Sequence, residues 1–218
     1  MIIVVGSAHD PRARSLVAHW GEPCATLLSA EDLSRPGWVL EVPDRGRGRC
    51  VAGGQTIPDE AVDGVLTLRP RIFAEELAHV APADRNYVAA EMTAVLLAWL
   101  AARRCPVLNA PAGGALAGPN WRTGRWRQTA RALGIPVRDA ERADAGGGAE
   151  LTMIGERCFG ARDSRLAAFA AALGRAAGTE LLSCRFTSQG ELLSATPWPQ
   201  LDQDDIRAAL RERLGERA

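Results

Sequence analysis

Ile2-Ile3-Val4-Val5-Gly6-Ser7-Ala8-His9-Asp10-Pro11 is the stretch that decides the fold class. A continuous β-branched run that stops at a glycine reads as a strand buried on both faces, and Asp10-Pro11 then supplies a helix N-cap and a preset first helical residue. Strand, glycine turn and helix in that order open a parallel α/β sheet. Working outward, Cys24 to Leu28 is the second expected strand, and Gly64 to Leu68 is another, ending at Arg69-Pro70-Arg71. Trp38 to Val42 and Arg49 to Ala52 flank the polar Asp44-Arg45-Gly46-Arg47-Gly48 turn, so they read as a hairpin or a surface excursion from the sheet. Asp84 to Arg104 repeats Ala, Leu, Met and Trp99 at helical spacing, with Asp84 as cap and Arg103-Arg104 complementing the C-terminal dipole. Pro106 to Asn109 follows as a short strand.

After a Pro111 to Pro119 loop, Arg122 to Leu133 reads as a helix ended by Gly134, and Ile135-Pro136-Val137 as a strand. Ala143 to Gly148 is the linker, small and glycine-rich with nothing to bury. Beyond it come strands at Leu151 to Ile154, Cys158-Phe159, Leu181 to Phe186 and Leu192 to Ala195, with helices at Asp163 to Ala177 and Asp204 to Glu216. The expected organisation is an N-terminal doubly wound parallel sheet over residues 1–142, followed by a small α+β part over residues 149–218. A tail of about 70 residues is marginal as an independent core, so it is expected to pack against the rest through the Arg122 to Leu133 helix.

Composition narrows the function classes. The chain has 218 residues, 26 basic and 26 acidic, so no overall charge draws it to nucleic acid or to an anionic membrane. Every basic residue is arginine and lysine is absent, which removes Schiff-base and P-loop chemistry. Five scattered cysteines without a CxxC pair point to a reducing cytoplasm, and no segment reads as a signal peptide or a membrane span. His9, His19 and His79 lack metal-ligand spacing, so no metal is expected.

The candidate ligand-binding residues gather at the carboxyl ends of the expected strands, where open α/β sheets bind ligands. Ser7 and His9 lie in the first strand-to-helix turn, whose N–H groups favour an anion. Arg69 and Arg71 flank Pro70, and Asn109, Asn120 and Arg122 follow later strands. Two readings of Arg69 stand side by side: it grips a carboxylate or phosphate, or it ties loops together through backbone carbonyls. The Arg122, Arg125, Arg127, Arg131 run beside Trp121 and Trp126 reads as a solvated helix face with its aromatic residues turned inward. Cys105 has no base beside it and is not a nucleophile. The apolar Val88 to Leu100 stretch predicts a homodimer.

The succession Leu66-Thr67-Leu68-Arg69-Pro70, a long helix with Tyr87 and Glu91, Pro106 to Pro111, Trp126 to Ala130 and Leu133 to Val137 resembles the front part of ATP-grasp ligases. The subgroup it resembles modifies peptides or adds glutamate. Leu151 to Ala161 and Glu180 to Pro199 are similar to that family's later strands. The resemblance implies a pre-ATP-grasp-like first domain and a remnant ATP-grasp second part. Active members carry, between the positions of Val137 and Leu151, a subdomain with a lysine-bearing strand and a glycine-rich loop over the phosphates; here there is a short link. Their last strands present an acidic residue and a Glu-x-Asn pair to magnesium, where this chain offers Ser194 and Thr196. Hydroxyls are poor replacements, because magnesium needs anionic oxygen to offset its dehydration.

The function expected from these features is a non-catalytic, ATP-grasp-derived partner or binding protein in a biosynthetic pathway, meeting a peptide or a larger enzyme, with no cofactor, no nucleic acid and no membrane. The alternatives are an enzyme or split ligase that keeps the substrate crevice while another chain supplies the nucleotide half, and a small-ligand module using Ser7, Arg69 and Asn109.

Overall fold

The computed structural model describes residues 1–41, 47–138, 148–160 and 163–216. These fall into two compact units, Met1–Gly118 with Leu210–Ala218, and Pro119–Ala209. The 143–147 part of the expected linker and the 42–46 part of the first turn lie outside the described residues.

The first unit runs β1 (Ile2–Val5), α1 (Pro11–Trp20), β2 (Ala25–Leu28), β3 (Arg49–Ala52), β4 (Gln55–Pro58), β5 (Gly64–Thr67), α2 (Arg85–Ala101) and β6 (Val107–Leu108). Four strands form a parallel sheet in the order β2-β1-β5-β6, in the register Ile2 to Ala25 on one side and Ile2 to Gly64 on the other. All four residues of β1 are buried, as expected of a strand with neighbours on both sides. Asp10 caps α1 by accepting the Arg12 N–H at 2.9 Å, and Pro11 stands at the first turn where a missing N–H costs nothing. Gly64 opens β5 because the chain passes so close that a Cβ there would lie 2.3 Å from the Leu214 carbonyl oxygen. Ile3, Val5, Val65, Leu96 and Trp99 centre the core.

Two local expectations are corrected. Among the described residues, Arg49–Ala52 forms an antiparallel hairpin with Gln55–Pro58 across Gly53-Gly54 in place of one with the Trp38 stretch, from which Val39 contributes one bridge to Arg49. Both glycines have positive φ, 57° and 75°, which a tight hairpin turn requires. Asp84 makes no capping hydrogen bond and already has helical dihedrals, φ −100° and ψ −12°. Arg103 does serve the helix end, its Nε donating to the Trp99 carbonyl at 3.0 Å.

The second unit holds α3 (Thr123–Ala132), β7 (Ala149–Ile154), β8 (Arg157–Phe159), α4 (Ser164–Ala177), β9 (Leu181–Phe186), β10 (Leu192–Thr196) and the start of α5 (Asp204–Gly215). Its sheet is antiparallel, order β10-β9-β7-β8. Asp163 caps α4 through the Arg165 N–H at 2.8 Å, and Gly178 ends it in the left-handed region at φ 64°. The Ile135 to Val137 strand is reduced to a parallel bridge between Val137 and Leu192, with the Leu192 N–H on the Pro136 carbonyl at 2.7 Å. Trp126, Ala130 and Ile135 pack with Leu151, Leu173, Cys184 and Phe186, so this core draws on chain from before the glycine-rich link. The architecture is the expected mixed α/β one, a parallel sheet followed by a smaller antiparallel α+β unit. No helix among the described residues is long and apolar enough to cross a membrane.

Candidate functional site

β1 and β5 are neighbours in register, so their carboxyl ends bring Gly6-Ser7 beside Leu68-Arg69. Arg69 is 4% exposed. Its Nε donates to the Arg71 carbonyl at 2.8 Å and its Nη1 to the Gly6 carbonyl at 3.2 Å, while Nη2 forms an ion pair with Glu76. Glu76 also accepts the Phe73 N–H at 3.4 Å and a hydrogen bond from the Ser7 hydroxyl. Burial alone would raise the Glu76 carboxyl, but the hydrogen bonds from Arg69 and Ser7 and the guanidinium charge outweigh it and hold the group below its ordinary value. A carboxylate and a guanidinium therefore stay charged under the first loop, each satisfied by protein groups.

Ser7 Oγ accepts the His9 N–H at 3.2 Å, which fixes the turn before α1 and leaves the His9 side chain on an exposed residue. Arg71 is exposed and has no carboxylate partner among the described residues; its guanidinium stands 5.1 Å from the Phe73 ring centroid, with Arg69 5.7 Å from the same ring. Asn109 follows β6 with φ 56°, is buried, and its carbonyl accepts the Gly118 N–H at 3.2 Å. Asn120 and Arg122 are exposed and belong to the second unit. Of the seven residues singled out from sequence, Ser7 and Arg69 join one network through their side chains, His9 and Arg71 join it through backbone groups alone, and Asn109 follows β6, the strand beside β5. Glu76, the centre of that network, was missed. Phe73-Ala74-Glu75-Glu76 has no periodicity or spacing that tells Glu76 from Glu75.

In the second unit, β7, β9 and β10 place Thr152, Ser183 and Thr196 in one cross-strand row. Thr152 Oγ1 and Ser183 Oγ are 2.8 Å apart, and Thr196 Oγ1 accepts the Trp198 N–H at 3.3 Å. The neighbouring row is Glu150, Arg185 and Ser194. Among the described residues no three His, Cys, Asp or Glu side chains converge where a metal could sit. Burial holds the thiols of Cys50, Cys105, Cys158 and Cys184 protonated. Burial and the nearby Asp59 charge push the Cys50 thiol up to about 12, and burial with the adjoining Cys158 does the same for Cys184. Burial also raises Cys105.

No protein-family model matches the sequence, and no curated protein matches it either. Solved structures do match in fold. Macrocyclase MdnC bound with precursor peptide MdnA, from Microcystis aeruginosa MRC, has a TM-score of 0.64 at 11% identity, covering 98% of this chain and 98% of its own. The ATP-grasp ligase PsnB complexed with minimal precursor, Mg and ADP gives 0.63 at 14%, over 99% and 98%. A Chryseobacterium gregarium RiPP-associated ATP-grasp ligase in complex with ADP and a leader and core peptide gives 0.65 at 7%, over 100% and 99%. At such identities the likeness establishes the fold: the chain folds like an ATP-grasp ligase along its whole length.

Proposed function

We propose that the chain is an ATP-grasp-derived binding protein for a peptide in a biosynthetic pathway, without ATP-dependent ligase activity of its own. The observation that carries this is the Thr152-Ser183-Thr196 row. The Thr152 and Ser183 hydroxyls bond one another, Thr196 Oγ1 accepts the Trp198 N–H, and none of the three is anionic; the row beside them, with Ser194, brings one carboxylate, Glu150, opposite Arg185. Magnesium and nucleotide, which neighbouring ligases bind, do not fit this donor set. Phosphoryl transfer needs cations on the phosphates and carboxylates on the metal, and here lysine is absent from the whole chain. Complexes of the neighbours with precursor peptides support the choice of a peptide as partner. Calorimetry with ATP and magnesium at physiological concentrations is expected to show no binding heat; a micromolar, magnesium-dependent affinity would overturn the reading. A split ligase is the rival that would gain.

We further propose that two copies associate through α2. Tyr87 is 69% and Val95 40% exposed, and Ala90, Ala94 and Ala98 are exposed with them around one charge, Glu91, so a mostly apolar side of the helix meets water. Light scattering is expected to give twice the chain mass, and a monomer at high concentration would remove this contact from the account.

A further inference from the structure

We infer that the outer face of α3 docks an acidic stretch of the partner peptide, a step that rests on the peptide reading above. Along α3 and its N-cap the charged residues are Arg122, Arg125, Arg127 and Arg131, with not one Asp or Glu, although the protein as a whole has a net charge of zero; Arg138, beyond the helix, pairs with Glu191 at 3.2 Å. A solvated helix face in a neutral protein ordinarily interleaves both signs at i,i+4, which offsets self-repulsion. This face does not. Arg122 and Arg125 are exposed and have no ion-pair partner among the described residues. Arg127 Nε is buried from solvent and makes no hydrogen bond, so its guanidinium is not neutralised by a neighbouring acceptor there.

The aromatic residues shape what fits. Trp126 is buried in the core of the second unit, while Trp121 is half-buried and lies against it with ring centroids 4.7 Å apart. Arg125 places its guanidinium carbon over the Trp121 ring, 4.5 Å from the centroid, a cation–π contact at an exposed site. Leu133 at the helix end is 43% exposed. A guanidinium fixed by stacking loses little freedom when it pairs with a carboxylate, and Arg presents two parallel donors to it. Carboxylates interspersed with apolar side chains complement this surface in both charge and apolar area. A nucleic acid would also meet arginine and tryptophan, but a short helix in a protein of zero net charge lacks the extended basic track that backbone binding uses.

The test is fluorescence polarisation with a fluorescein-labelled peptide of alternating Glu and Leu, its Gln-for-Glu counterpart, and a labelled single-stranded oligonucleotide. The Glu peptide is expected to bind, to weaken as salt rises, and to lose about tenfold or more in affinity with R122E/R125E. R175E, which reverses an exposed charge on α4, is expected to change nothing. Circular dichroism of R122E/R125E should match the parent, because both side chains are exposed. Absence of Glu-peptide binding, equal binding of the Gln counterpart, equal loss with R175E, or tighter binding of the oligonucleotide would each overturn the inference. Those failures leave the magnesium and ATP calorimetry untouched, so the docking face and the proposed function fall separately.

Discussion

Arg69→Ala is expected to lower the unfolding free energy by about 3–5 kcal/mol, far more than an ordinary loop substitution. The Arg69 and Glu76 side chains are 5% and 14% exposed, so their attraction is little screened, and removing one leaves the other charged where water barely reaches. Truncation also strips donors from the Gly6 and Arg71 carbonyls. The pH dependence has a definite sign. In the parent protein Glu76 titrates below its ordinary value of 4.5, so its contribution is present above that value and fades as pH falls through the lower folded one. Without Arg69 the desolvation that raises Glu76 loses its main opponent, and only the hydrogen bonds from Ser7 and Phe73 still hold the carboxyl down, so the variant forfeits most of the stabilisation that the parent gains as pH rises. Urea denaturation at about pH 7 and about pH 4 should therefore show a difference that shrinks in acid. A loss below about 0.5 kcal/mol at neutral pH would mean that the network does not hold the loop.

How far the sequence could be read follows from which signals are local. β1, β2, β5 and β9 announce themselves as apolar runs bounded by turn residues, and α1 and α4 carry aspartate caps that the structure retains. β4 does not, because Gln55-Thr56-Ile57-Pro58 buries only Ile57 and ends in a residue that cannot donate to a ladder. The hairpin is specified by Gly53-Gly54, whose role as a turn shows only once both partners are known. The site is legible to the same extent. Strand ends locate Ser7 and Arg69, but the group that joins them, Glu76, comes from a short turn after β5 and is fixed by tertiary geometry alone. The sequence left Arg69 with two roles, and the structure adds the specific carbonyls and carboxylate its guanidinium meets.

Asp59→Ala is the second large effect expected, because one carboxylate joins the unanticipated hairpin to the end of α2. Asp59 follows β4, and its Oδ1 accepts the Trp99 indole N–H at 3.1 Å while Oδ2 accepts from Arg103 Nη2 at 2.6 Å. The Arg103 and Asp59 side chains are 4% and 6% exposed. Arg103 also stands 4.8 Å from the Trp99 ring centroid, and Trp38 meets the same indole edge-on at 6.0 Å. Removing the carboxylate strands a buried guanidinium and orphans a buried N–H together, and leaving a charge uncompensated costs about 3–5 kcal/mol by itself. Asp59→Asn separates the two contributions. It keeps an acceptor for the indole and forfeits the charge, so it should fall between the parent and Asp59→Ala in urea denaturation. If Asp59→Asn proves as damaging as Asp59→Ala, the charge pairing with Arg103 dominates and the indole bond adds nothing. If both variants lie within about 1 kcal/mol of the parent, Asp59 is not what fixes the hairpin against α2.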